Sequence, residues 1–200
     1  MKNSYSEKEI NIFNGVLKLA RSGEDVSSLT AQKIATAAGV GKATIYDYFS
    51  SKEEIVQGAL VYSMSLQKQR FEQEMEHIQD FSQRMNVIYN GIIDSVQDTG
   101  SVFQLLLQAT GKEKQSCNLT PEIIQQVTEF VSILFSVLAK GYKQNVFSMD
   151  VYDKNNEAYV LMAIVSNVFA TASRAKNRLY PLSREEIIDN SYKMLVKSLA

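Results

Sequence analysis

Three times this chain repeats the same four-residue phrase where a helix can begin: Ser6-Glu-Lys-Glu9, Ser51-Lys-Glu-Glu54 and Ser183-Arg-Glu-Glu186. In such a box the hydroxyl caps an orphan N–H of the first turn, and the glutamate reaches back to the cap's own N–H. Ser101-Val-Phe-Gln104 is the glutamine version. Thr120-Pro121-Glu122 sets a cap, a proline at the first helical position and an acid near the positive end of the helix dipole. Between these starts the apolar residues keep helical spacing, as in Ile55, Ala59, Tyr62 and Leu66 or Ile188, Tyr192, Leu195, Val196 and Leu199. No stretch alternates convincingly as a strand does, and the only prolines are Pro121 and Pro181. The pattern implies an all-α fold of about nine helices, at 6–22, 30–37, 42–49, 52–77, 81–98, 101–112, 121–145, 153–178 and 184–199. The first three are short and the rest long, which puts the domain boundary near Ser51: a head over 1–51 and a helical body over 52–200. No Gly/Ser- or Pro-rich linker marks that boundary, so the helix from Lys52 is expected to join the two rigidly.

Composition narrows the function. Hydrophobic residues make up 45% and charged residues 22%, the balance of an ordinary globular protein. The net charge of −1 argues against a wholly basic nucleic-acid binder, and a slight basic excess over 1–52 permits DNA contact there without requiring it. Cys117 and His77 are the only residues of their types, so one chain can assemble neither a disulfide framework nor a His/Cys metal cluster. His77 sits among acids and reads as a surface residue, Cys117 as part of a polar loop. There is no His-based triad and no glycine-rich phosphate loop, so no enzyme activity, cofactor or metal is expected. The N-terminus lacks the apolar core of a secretory signal. The longest apolar run, around Tyr159–Val165, is far short of the roughly 18 residues of a membrane span. A cytoplasmic protein with no membrane partner is expected.

The segment that carries most information runs Thr30-Ala-Gln-Lys-Ile-Ala-Thr-Ala-Ala-Gly-Val-Gly-Lys-Ala-Thr-Ile-Tyr-Asp-Tyr-Phe49. A helix-turn-helix needs a small residue where its helices meet, glycine where the turn goes left-handed, and apolar inward faces. Ala35, Gly39 and the set Ile34, Val40, Ile45 and Tyr48 or Phe49 meet these demands, and Thr30 is a natural N-cap. The second helix, from Lys42, then exposes Lys42, Ala43, Thr44 and Asp47. Lysine can donate to guanine, and alanine and threonine methyls can touch the thymine methyl. Tyr46, Tyr48 and Lys52 are placed to reach phosphates. The same turn also occurs in plain helical hairpins. That leaves open a helical ligand- or lipid-binding protein, or an enzyme, whose N-terminal motif is only structural.

The run T-x-x-x-I-A-x-x-A-G-V-x-x-x-T-x-Y-x-Y-F-x-x-K-E-E, from Thr30 to Glu54, resembles the DNA-binding signature of the tetracycline-repressor (TetR) family. The resemblance extends over about Ile10 to Leu60. It implies a DNA-binding transcriptional regulator, a repressor, that dimerises, binds a palindromic operator in double-stranded DNA and is released by a small, apolar effector. Thr30 would cap the second helix and touch a phosphate. Lys42, Ala43 and Thr44 would face the groove, Tyr46 and Tyr48 would contact the backbone, and Lys52 would sit near a phosphate. Position 43, often Gly or Ser in the family, is Ala, and the recognition helix carries Asp47.

In this family the C-terminal helices bind the effector and form the dimer. The segment 158–172 is apolar nearly all round, as a helix buried on more than one side must be. With 184–199 it suggests a four-helix interface, two helices from each chain, with Leu161, Val165, Val168, Phe169, Ala172, Ile188, Tyr192 and Leu195 at the seam. Tyr62, Leu66, Tyr89, Phe103, Leu107, Phe130, Leu134 and Met162 are the candidate walls of an apolar effector pocket.

Overall fold

The computed structural model describes residues 5–97, 120–177, 179 and 181–200. Among them are eight α-helices and no strand: α1 (Glu7–Arg21), α2 (Ala31–Ala38), α3 (Lys42–Tyr48), α4 (Lys52–Met75), α5 (Phe81–Gln97), α6 (Pro121–Lys143), α7 (Glu157–Lys176) and α8 (Arg184–Ser198), with a 3-10 turn at Val26–Ser28. The expected helix over 101–112, with Phe103, Leu107 and Cys117 nearby, lies outside the described residues.

The helix starts form as local chemistry dictates. At α1 the Ser6 hydroxyl accepts from the Glu9 N–H at 3.3 Å, and the Ser6 N–H donates to the Glu9 carboxylate at 2.8 Å. Ser183 and Glu186 repeat this at α8. At α4 the Ser51 hydroxyl accepts from the Glu54 N–H, and Glu54 accepts from both the N–H and the hydroxyl of Ser50. Helix α7 begins at Glu157 and not at 153, because two aspartates hold the preceding segment in turns. The Asp150 carboxylate accepts from the Tyr152 N–H and the Asp153 carboxylate from the Asn155 N–H, both at about the length of a strong hydrogen bond. Such side-chain bonds compete with the helix for the same backbone groups.

The described residues form two compact units, one built from 5–67 with 120–126 and the other from Lys68–Gln97 with Val127–Ala200. The division between these units falls inside α4, because the first turns of α4 are core of the head. Ile55, Ala59 and Leu60 are buried there with Ile12, Phe13 and Val16 of α1 and Ile34 and Ala35 of α2. Gly58 lies under the Phe13 ring, so close that an added Cβ would stand 2.6 Å from it.

The second unit is a helical core in which α5 packs on α7 and α8. Its buried centre includes Phe81, Ile88, Tyr89, Val137, Leu138, Val160 and Leu195. The α4–α5 connection is tied down from two sides. The Arg84 guanidinium donates to the carbonyls of Ile78 and Met75 at 2.6 and 2.9 Å. Gln144, just past the end of α6, donates to the Gln79 carbonyl and accepts from the Phe81 N–H, while Lys140 of α6 donates to the Gln79 side chain. Lys68 and Glu129 pair at 2.6 Å between α4 and α6, and that hydrogen bond raises the lysine's pKa.

Two helices, Pro121–Lys143 and Glu157–Lys176, are long and apolar enough to cross a membrane, with mean hydropathies of 1.4 and 1.3. Counting unbroken apolar runs misses this, because scattered serines, asparagine and threonine interrupt the runs without removing the apolar character. Only 22% of the first window and 28% of the second is buried in the single chain, so both helices have apolar surface left over.

Helix α2 ends on Gly39 at φ 68°, ψ 31°. The Val40 N–H bonds back to the Ala35 carbonyl at 3.0 Å and the Gly39 N–H to Thr36 at 3.3 Å, the Schellman arrangement. No atom stands within 4 Å of a Cβ placed there, so the cost of a side chain is purely conformational. Gly39→Ala is expected to lower stability by about 1–2 kcal/mol, and Gly39→Asn by less, because asparagine tolerates the left-handed region. Urea denaturation measures both; an alanine variant as stable as the parent contradicts this.

Candidate nucleic-acid interface and effector cavity

The head presents a short helix on a buried foot. In α3, Ile45 is fully buried and Phe49 nearly so, and they face the core of α1, α2 and α4. Period 3.6 then turns Lys42, Ala43, Tyr46, Asp47 and Tyr48 outward, with Thr44 half-buried. Tyr46 is 57% exposed, although nothing in a monomeric fold requires an aromatic ring there. Thr30 is exposed and caps α2, its hydroxyl accepting from the Lys33 N–H at 3.2 Å. The Lys52 ammonium donates to the Ser27 carbonyl at 2.8 Å and stands 3.6 Å from Glu53, which ties the start of α4 to the 3-10 turn. An ammonium has three donors, so this bond constrains where the charge sits without using it up.

The aromatic candidate Tyr62 belongs to the head. Its ring lies 5.7 Å from that of Phe13 and 6.1 Å from that of Tyr5. Leu66 is exposed on the same unit. In the second unit Tyr89 and Leu134 line one small cavity together with Met85, Ile88, Ile92, Leu138, Ile164, Asn167, Val168 and Leu195. Phe130 packs beside it, edge-on to Phe71. Met162 points the other way and is 62% exposed.

The seam candidates divide. Leu161, Val165 and Phe169 are exposed on α7, the last at 71%. With Tyr159 and Met162 they occupy one side of the helix, opposite the buried Val160, Ile164, Asn167 and Thr171. Val168 reaches the cavity, Ala172 and Leu195 are buried inside the unit, and Ile188 and Tyr192 are partly buried against its core.

Sequence reasoning missed a polar knot beside the cavity. The Asn167 amide donates to the Ser191 carbonyl at 2.7 Å. The Thr171 hydroxyl stands 2.8 Å from both the Asn167 carbonyl and the Ser191 hydroxyl. All three residues are buried. The signal was present in the sequence: Asn167 and Thr171 lie four residues apart in an otherwise apolar helix, and so share a face. The Tyr89 hydroxyl, also buried, has no hydrogen-bond partner. Asn167 stands close enough to influence its ionisation but lacks hydrogen-bond geometry, and burial pushes the phenol far above its usual range. Among the described residues no group of acids, histidines and cysteines is arranged to hold a metal.

Residues 23–59 match a family model described as bacterial regulatory proteins, tetR family. The fatty acid degradation regulator FadR from Bacillus halodurans shares the fold with a TM-score of 0.71, at 17% identity over 97% of each chain. FadR from Bacillus subtilis, solved with stearoyl-CoA, gives 0.69 at 15% identity over 96% of this chain and 99% of that one. AibR, solved with isovaleryl coenzyme A and operator DNA, gives 0.65 at 16% identity over 95% and 98%. No curated protein matches the chain in sequence. At such identities the structural likeness is one of fold, and that fold is TetR-like: an N-terminal helix-turn-helix followed by a helical C-terminal part.

Thr171→Val keeps the shape and removes the hydroxyl, which strands the buried Ser191 hydroxyl. It is expected to cost about 1–3 kcal/mol. Adding Ser191→Ala removes the stranded partner and should recover part of the loss. Chemical denaturation of the two variants reads this directly, and a double variant less stable than additivity allows would show that the pair is not a unit.

Proposed function

We propose, on the premise that residues 23–59 form a tetR-family DNA-binding domain, that this chain is a transcriptional regulator. It acts in the cytoplasm as a homodimer on a palindromic operator, without enzymatic activity, and a small apolar effector releases it. The observation that carries the DNA-binding part is α3: Lys42, Ala43 and Tyr46 stand exposed beside half-buried Thr44 on a helix fixed from below by Ile45 and Phe49. A helix so mounted offers its N-terminal residues to base edges in the major groove, and the dimer spaces two of them about 34–36 Å apart, or near a multiple. Lys42 and Thr44 read bases; Thr30, Tyr46, Tyr48 and Lys52 hold phosphates.

The dimer reading rests on the outer side of α7. Tyr159, Leu161, Met162, Val165 and Phe169 make an apolar strip of a kind monomeric proteins rarely leave uncovered. We assign the surplus hydropathy of this helix to a second copy and not to a bilayer. The effector reading rests on the neutral cavity in the second unit and on the ligands of neighbours that share the fold, stearoyl-CoA in one and isovaleryl coenzyme A in another. Release requires the effector to favour the form that does not bind DNA, since equal affinity for both forms shifts nothing. Effector and operator then weaken each other by the same factor. Helix α4 belongs to both compact units, which makes it the natural carrier of that coupling.

Gel shifts with DNA flanking the gene test the central claim. Lys42→Ala and Thr44→Ala are expected to weaken operator binding by about 1–3 kcal/mol each while leaving random DNA less affected. Tyr46→Phe should weaken both evenly, because phosphates carry no sequence information. Equal losses on operator and random DNA for Lys42→Ala would remove its base-reading role.

For assembly, Phe169→Glu puts a charge on a side chain that the single chain leaves open to solvent. A folded monomer is expected in sedimentation, with the helical content of the parent. A variant that stays dimeric at micromolar concentration argues against this seam.

A further inference from the structure

Tyr89 carries a polar atom that the fold leaves unused. Its side chain is 0% exposed and its hydroxyl meets no acceptor or donor. A buried hydroxyl without a partner destabilises the protein that contains it, and phenylalanine would avoid the loss. The nearby Asn167 amide bonds to the Ser191 carbonyl and is not in hydrogen-bond geometry with the Tyr89 hydroxyl, and the Thr171 hydroxyl is engaged with Asn167 and Ser191. Apart from Tyr89 and Asn167 the wall of this cavity is aliphatic, with Met85, Ile88, Ile92, Leu138, Ile164 and Val168 among its residues and no charged side chain. An ionised group there would be buried without a counter-charge, which is far costlier than burying a neutral acceptor.

We propose that this cavity is the inner end of the effector site, and that it takes a neutral, mainly aliphatic molecule whose buried end carries one hydrogen-bond acceptor for the Tyr89 hydroxyl. The inference rests on the effector reading above and adds the polarity of the ligand. Size fits the role of an inner end. The cavity volume is about 10 Å3, the space of a single water. It admits a carbonyl oxygen or a water in its place, and an aliphatic tail has to displace side chains. Met85 is unbranched and adaptable, and Ile92, Leu134 and Val168 are only half-buried, so these are the wall groups with freedom to move.

Three probes with the same pentyl tail separate the terms: 2-heptanone, its isosteric hydrocarbon 2-methylhept-1-ene, and hexanoate. Each is titrated into the full chain by thermal shift and calorimetry, with operator gel shifts run in parallel. The ketone is expected to bind about tenfold more tightly than the alkene, the scale of one hydrogen bond, and hexanoate more weakly still. In Tyr89→Phe the ketone should fall below the alkene, because its oxygen would be buried without a donor, the alkene should be unchanged, and the ligand-free melting temperature should be equal or higher. A lower melting temperature with all probes weakened together means that Tyr89 is structural, and overturns the proposal. So does an alkene that binds as well as the ketone, or hexanoate binding tightest; either leaves an apolar or a charged effector in place and removes only the neutral acceptor. If no probe binds, the inference falls, and the gel shift without ligand shows whether the regulator reading falls with it.

Discussion

Phe13 is 1% exposed, and its ring touches four things that must agree if the head is to have one shape. It lies over Gly58 of α4, 5.5 Å from Phe49 at the end of α3, 5.7 Å from Tyr62 and 4.9 Å from Tyr5. Phe49 fixes the end of α3, so the pose of the exposed side chains of α3 depends on where this ring sits. The absence of a Cβ at Gly58 lets helix and ring approach closely. Dispersion between such groups is small per atom pair and large in sum, and aromatic pairs add directional preference through their quadrupoles. The groove-reading role proposed for α3 needs a rigid support, and the head supplies it through packing, since α3 has only two turns of backbone hydrogen bonding of its own.

The second unit balances order against adaptability in another way. Its centre is apolar and closely filled, yet α7 and α8 are locked in register by the buried contacts of Asn167, Thr171 and Ser191. Satisfied polar groups in a core specify one arrangement over its competitors, because any slip leaves them unpaired. Tyr89 sits next to this knot without joining it. The same few ångströms therefore hold both the most constrained and the least satisfied polar atoms of the unit.

Much of this was written locally and could be read locally. The boxes at Ser6 and Ser183, the cap at Thr30 and the left-handed glycine at 39 involve residues within a few positions of each other, and all formed as spelled. Helix α7 starts later than its apolar periodicity suggests, because Asp150 and Asp153 offer the backbone turns that compete with a helix. Periodicity showed which face of each helix is apolar but not which neighbour would cover it. Tyr62 and Tyr89 looked alike in sequence, yet one ring joins Phe13 and the other lines the cavity. Leu195 and Ala172 had the spacing of seam residues and are core within one chain, while Phe169 on the same helix as Ala172 is open. The cavity itself joins Met85, Ile164 and Leu195, residues from three separate helices, and no local pattern encodes such a meeting.

The connection between α4 and α5 has a consequence for how this protein can change over generations. Surface loops usually accept gained or lost residues, because their backbone answers mainly to water. Here Arg84 of α5, Lys140 of α6 and Gln144 just beyond α6 bond Met75, Ile78, Gln79 and Phe81. One inserted residue would put several of those groups out of reach at once. The segment is short and exposed in places, yet its length is as fixed as that of a core strand. Sequence drift here should proceed by replacement, with insertions and deletions displaced to other connections.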